Sequence, residues 1–66
     1  MSELEKIDPR LLGGRIANFR KACGKTQEET GNHLGMSRPT YIAIEKGTRR
    51  VTPDEVVKLA AYFSRS

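Results

Sequence analysis

Apolar residues return along this chain every three or four positions, and no stretch alternates apolar with polar as a half-buried strand does. Leu12, Ile16 and Phe19 carry that spacing through residues 11–23, and Val56, Leu59, Ala60 and Phe63 carry it near the chain's end. The punctuation between them is regular. Asp8 can cap a first helix that Pro9 opens, because the first turn has no use for the missing N–H. Gly24 suits the left-handed residue that closes it. Thr26-Gln27-Glu28-Glu29 is a capping box for a short second helix ending at Gly35. Ser37 caps a third helix, ended by Gly47, and Thr52-Pro53-Asp54-Glu55 opens a fourth. The pattern predicts an all-α chain of four helices, with residues 1–8 as an N-terminal extension and 9–66 as one domain. Two features pull against it. Gly13-Gly14 costs about 1 kcal/mol per glycine inside a helix, which predicts a first helix that is firm only from about Arg15. Pro39 disfavours helical geometry at Arg38 and leaves the start of the third helix open by a residue or so.

Helices two and three are joined by only Leu34-Gly35-Met36-Ser37. So short a link forces a sharp crossing, and glycine takes the left-handed turn cheaply. Two short helices crossing this way form a helix-turn-helix, whose second helix can lie in a major groove. On a wheel, Thr40, Tyr41, Ile44 and Glu45 fall on one half of helix three, and Arg38, Pro39, Ile42, Ala43 and Lys46 on the other. Tyr41 and Ile44 are natural inward anchors. The other half has cations at both ends with apolar surface between, which suits guanines or phosphates and thymine methyls. A solvated face or a protein contact would show the same pattern.

Charge and composition narrow the classes. The chain carries a net charge of +4 and an isoelectric point near 9.6, which favours a polyanionic partner. Its 66 residues can hold a thin core but no buried catalytic cleft. No apolar run is long enough for a membrane span or a secretory core. Cys23 is the single cysteine, which excludes an internal disulfide and fits a reducing cytoplasm. His33 has no second ligand at metal spacing and reads as a surface side chain. No histidine pair, thiol–imidazole pair or phosphate loop is present, so the expectation is no catalytic residue, no metal, no cofactor and no enzyme activity.

The stretch IANFRKACGKTQEETGNHLGMSRPTYIAIEKG, residues 16–47, resembles the Cro/cI-type (XRE) helix-turn-helix family of phage repressors and bacterial regulators. The matching positions are Ile16, Arg20, Gly24, Thr26-Gln27-Glu28-Glu29, Leu34-Gly35, Ser37, Thr40, Ile44-Glu45 and Gly47. The likeness implies a lambda-repressor-like domain, here a four-helix form of a five-helix fold. It implies an ion pair between Arg20 and Glu45, and the wheel independently turns Glu45 inward, where an unpaired carboxylate would be costly. It places Arg38, Pro39, Ile42 and Ala43 on the bases. The DNA-backbone set it implies is Thr26, Gln27, Ser37, Thr40, Lys46, Arg49 and Arg50, with Gln27 at the start of helix two and the two arginines on the loop after helix three.

The implied function is sequence-specific binding of double-stranded DNA, as a transcriptional regulator of repressor type. A weak homodimer would bind a two-fold operator. The alternatives are a protein-interaction or antitoxin-type module, or the N-terminal targeting domain of a longer protein such as a metallopeptidase-like regulator. Lys25, Thr30 and Gly31 depart from the family, which usually has an apolar residue, leucine and alanine there. A threonine for a buried leucine forfeits roughly 1.5–3 kcal/mol. The expected core is Leu12, Ile16, Phe19, Leu34, Tyr41, Ile44, Val56, Leu59 and Phe63. At least one of Leu4, Ile7 and Leu11 is expected to pack on the gap left by Thr30 and Gly31. The chain stops at Ser66 just after helix four, which reads as a domain cut from a longer protein.

Overall fold

The computed structural model describes residues 9–64, which form four α-helices: α1 Pro9–Ala22, α2 Gln27–His33, α3 Arg38–Lys46 and α4 Pro53–Ser64. No strand occurs among the described residues. The boundaries follow the local chemistry. Thr26 caps α2 by accepting from Glu29 N–H, while the Glu29 carboxylate accepts from Thr26 N–H. Thr52 and Glu55 make the same reciprocal pair at α4. Gly35, φ +73°, turns the chain between α2 and α3, a conformation a side chain would strain. Ser37 caps α3, so Arg38 is its first helical residue and Pro39 sits in the first turn, where its lost N–H has no partner to lose.

The first helix departs from expectation. It runs unbroken from Pro9 through Gly13-Gly14 instead of firming only at Arg15. The cause is packing. A Cβ on Gly13 would collide with the Ile44 carbonyl oxygen and come within 2.7 Å of that of Glu45. Gly13 therefore lets α1 rest on the backbone of α3, and that contact offsets the weak helix propensity.

Ile16, Tyr41, Ile44 and Leu59 form the buried core, with Leu12, Leu34, Met36, Val51 and Phe63 packed around it. Two expected core members are displaced. Phe19 is 61% exposed and Val56 is exposed as well. Both flank the seam between α1 and α4, which meet far less closely than α3 meets α1 and α2. The expected gap in α2 is also absent. Thr30 is fully buried, and its hydroxyl donates to the Thr26 carbonyl at 2.8 Å. A methyl on Gly31 would meet Tyr41 Cβ at 3.2 Å. Gly31 on α2 thus sits against Tyr41 on α3. Leu11 is exposed, while Leu4 and Ile7 lie outside the described residues. No described helix is long and apolar enough to cross a membrane.

Candidate nucleic-acid interface

Three helices meet at one carboxylate. Arg20 of α1 donates from Nε to Glu45 Oε2 at 2.6 Å and from Nη2 to Oε1 at 3.3 Å. Tyr41 donates its hydroxyl to the same carboxylate, and Gln27 of α2 donates from Nε2 to Oε1 at 3.0 Å. The Arg20 and Glu45 side chains are only 10% and 7% exposed. Burial pushes the Glu45 carboxyl up, but the hydrogen bonds from Arg20, Tyr41 and Gln27 outweigh it and hold the group below the usual carboxylate range. The Glu45 bond raises Arg20, and burial beside that charge raises the Tyr41 phenol. Arg20 also donates from Nη1 to the Lys25 carbonyl at 2.9 Å. It thereby fixes the loop that delivers Thr26 and Gln27.

Above this knot the chain opens into a polar depression of about 580 Å³, lined by Arg20, Lys25, Thr26, Gln27, Glu28 and Arg38. The starts of α2 and α3 thus face one recess. Arg38 is exposed at its edge, Pro39 is exposed next along the chain, and Ile42 and Ala43 are half-buried one turn along α3. Ser37 Oγ lies 2.9 Å from Thr40 Oγ1 and accepts from Thr40 N–H, so both hydroxyls are oriented by the cap. Lys46 is exposed at the far end of the helix.

The loop after α3 is tied down on both sides. Thr48 and Arg49 N–H both donate to the Ala43 carbonyl, at 3.0 and 3.2 Å. Arg49 then donates to Glu55 with both terminal nitrogens, at 3.0 and 3.2 Å, and to the Arg50 carbonyl at 3.1 Å. That bond raises Arg49 and lowers Glu55 from their ordinary values. Arg50 projects into solvent. The sequence assigned Glu55 only a capping role; its grip on Arg49 depends on the loop's path and leaves no local signal. Tyr41 as a partner of Glu45 was readable, since the two stand four apart on the inward half of one helix.

The family model described as Helix-turn-helix matches residues 16–66. The chain belongs to that family, in its Cro/cI (XRE) type. It is a lambda-repressor-like helix-turn-helix DNA-binding domain, and the family is non-enzymatic. Among curated proteins, the helix-turn-helix chain is 34% identical over 53 residues to the cryptic phage CTXphi transcriptional repressor RstR of Vibrio cholerae, covering 80% of this chain and 48% of that one. A second repressor of that name, from V. cholerae serotype O1, is 39% identical over 46 residues, covering 70% and 41%. The chain spans about half the length of the curated relatives it matches. No solved structure matches it at a significant level.

Proposed function

We propose that the domain binds double-stranded DNA sequence-specifically in the cytoplasm and acts as a transcriptional repressor, with α3 in the major groove. Residues 9–66 act as the DNA-binding unit and residues 1–8 as its extension. One observation carries the reading: α3 buries Tyr41, Ile44 and the Glu45 pair inward, and turns Arg38, Pro39, Ile42, Ala43 and Lys46 away from the core, with Arg38 at the shared recess. Arg38, Pro39, Ile42 and Ala43 then meet base edges, where a guanidinium fork fits guanine and apolar surface fits a thymine methyl. Thr26, Gln27, Ser37, Thr40, Lys46, Arg49 and Arg50 meet the sugar-phosphate backbone. Arg49 does so while anchored. Three of its five N–H groups serve Glu55 and the Arg50 carbonyl, which leaves two for a phosphate.

Both curated relatives are named transcriptional repressors, which supports repression over activation. The partner site is a two-fold operator whose half-sites lie about one helical turn, ~34 Å, apart, occupied by a weak homodimer. Selection of bound sequences from random duplex DNA tests this. A palindromic consensus is expected. No enrichment, with no binding to any duplex at low salt, would replace the reading with a protein-interaction module.

A further inference from the structure

Lys25 is half-buried and stands where the family usually carries an apolar residue. Its carbonyl accepts from Arg20 Nη1 at 2.9 Å, so its backbone is tied to the buried ion pair. Its ammonium makes no ion pair among the described residues and lies instead over the Tyr62 ring, 5.0 Å from the centroid. Glu29 feels that charge, but less than it feels the Thr26 cap. The ring is itself held. His33 stacks on it at 4.1 Å, and Phe63 tilts against it at 5.7 Å. Lys25 also lines the polar recess, together with Thr26, Gln27 and Arg38. Of the three cations there, Arg20 donates to Glu45 and to the Lys25 carbonyl, and Arg38 opens the helix assigned to base edges. Lys25 is left to meet the backbone.

We propose that Lys25 is a further DNA-backbone residue, parked on the Tyr62 ring in the unbound domain and handed to a phosphate at the recess when a duplex arrives, a role that rests on the DNA-binding reading above. Magnitudes favour the transfer. A cation on an aromatic face at a solvent-open site shifts an equilibrium only about two- to fivefold. A lysine on a duplex phosphate releases about 0.9 of a counterion, which raises affinity roughly tenfold near 50 mM salt. The phosphate therefore takes the ammonium at low salt. The main chain need not move, because the ammonium rides on a flexible four-carbon stem with three rotatable donors. Arg49 differs in kind: its partner is the Glu55 carboxylate, a stronger hold than a ring. Tyr62 is a positioning residue, and it acts before binding.

Proton–carbon NMR of the full chain as selected duplex is added, paired with salt titrations on selected and scrambled duplexes, tests this. The Lys25 ε-methylene protons should resonate upfield in the unbound chain, under the Tyr62 ring current, and lose that displacement on saturation with duplex. Lys25→Met should flatten the log–log salt dependence by about one unit on both duplexes and weaken binding roughly tenfold near 50 mM salt, without lowering the melting temperature. Lys25→Arg should restore the slope. Tyr62→Leu should abolish the upfield displacement and tighten binding by about two- to fivefold, since nothing then competes with the phosphate. Weaker binding by Tyr62→Leu at temperatures where it is folded would mean that the ring presents the ammonium, and would overturn the parking. An ε-methylene signal that stays upfield on the duplex, or a Lys25→Met variant with the wild-type slope, overturns the proposal and makes Lys25 a packing residue. A loss on the selected duplex alone would put Lys25 on a base and exclude the backbone role. A wild-type chain that binds neither duplex overturns the DNA-binding reading and the role of Lys25 with it; a wild-type chain that binds while Lys25 stays on its ring overturns the role of Lys25 alone.

Discussion

Gln27 Nε2 donates to Glu45 Oε1 at 3.0 Å, so a half-buried side chain at the start of α2 hangs from the carboxylate that pairs with Arg20 inside. The buried pair therefore carries weight in two directions. Removing either member strands the other charge, and Arg20→Ala or Glu45→Ala should destabilise the fold by about 3–5 kcal/mol in urea unfolding. A loss below about 1 kcal/mol would show that solvent already shares the pair.

The same carboxylate gives the fold an acid limb. Its folded pKa is depressed, so its contribution is fully present above the unfolded value and fades as pH falls through the folded one. Glu55, held by Arg49, behaves likewise. Thermal melts should therefore fall steeply below about pH 4, near the ordinary carboxylate range. Glu45→Gln should be less stable at neutral pH and lose less on acidification. A variant with the wild-type acid slope would place the effect elsewhere.

Adjacent glycines in α1 should respond in opposite ways. A methyl on Gly14 meets nothing within 4 Å, so Gly14→Ala should stabilise by about 0.5–1 kcal/mol through helix propensity. Gly13→Ala drives a methyl into two carbonyls of α3 and should destabilise despite the same propensity gain. Melting temperatures of the two variants, about 4–8 °C per kcal/mol for a domain this small, should move apart. Equal shifts would mean that α1 and α3 do not touch at Gly13.

The neighbouring loop arginines should differ in salt titrations. Arg50 projects freely, and Arg50→Ala should flatten the log–log salt dependence of duplex binding by about one unit on any sequence. Glu55 already neutralises much of Arg49, so Arg49→Ala should change the slope by clearly less. Equal slope changes would mean that Glu55 releases Arg49 on binding.

Arg38 should behave as a reader. Arg38→Ala is expected to cost ~1–3 kcal/mol on the selected site and to relax preference at one base pair, with scrambled duplex nearly unaffected. An equal loss on both duplexes would make Arg38 another phosphate clamp.

Much of this was legible because short-range rules wrote it. The capping boxes at Thr26 and Thr52 and the cap at Ser37 set three helix starts within a residue. The inward turn of Glu45 followed from its place on one helix. What escaped depended on where distant segments pass. Gly13 reads as a helix weakness until the α3 carbonyls lie against it. Gly31 reads as missing bulk until Tyr41 is seen beside it, and Thr30 until its buried hydroxyl is seen bonded to the Thr26 carbonyl. Phe19 has the spacing of a core residue, but its exposure is set by how far α4 lies from α1. His33 reads as a bare surface histidine, yet its ring stacks on Tyr62 at 4.1 Å, with Lys25 also over that ring.

The backbone contact at Gly13 bears on how such a domain can change its target. Because α1 meets the main chain of α3, the seating of α3 is set by atoms that every residue shares. Exchanging Arg38, Pro39 or Ile42 leaves that seat untouched. A lineage can thus exchange the outward face of α3 residue by residue on an unchanged mount, whereas any side chain at residue 13 would shift the whole helix at once.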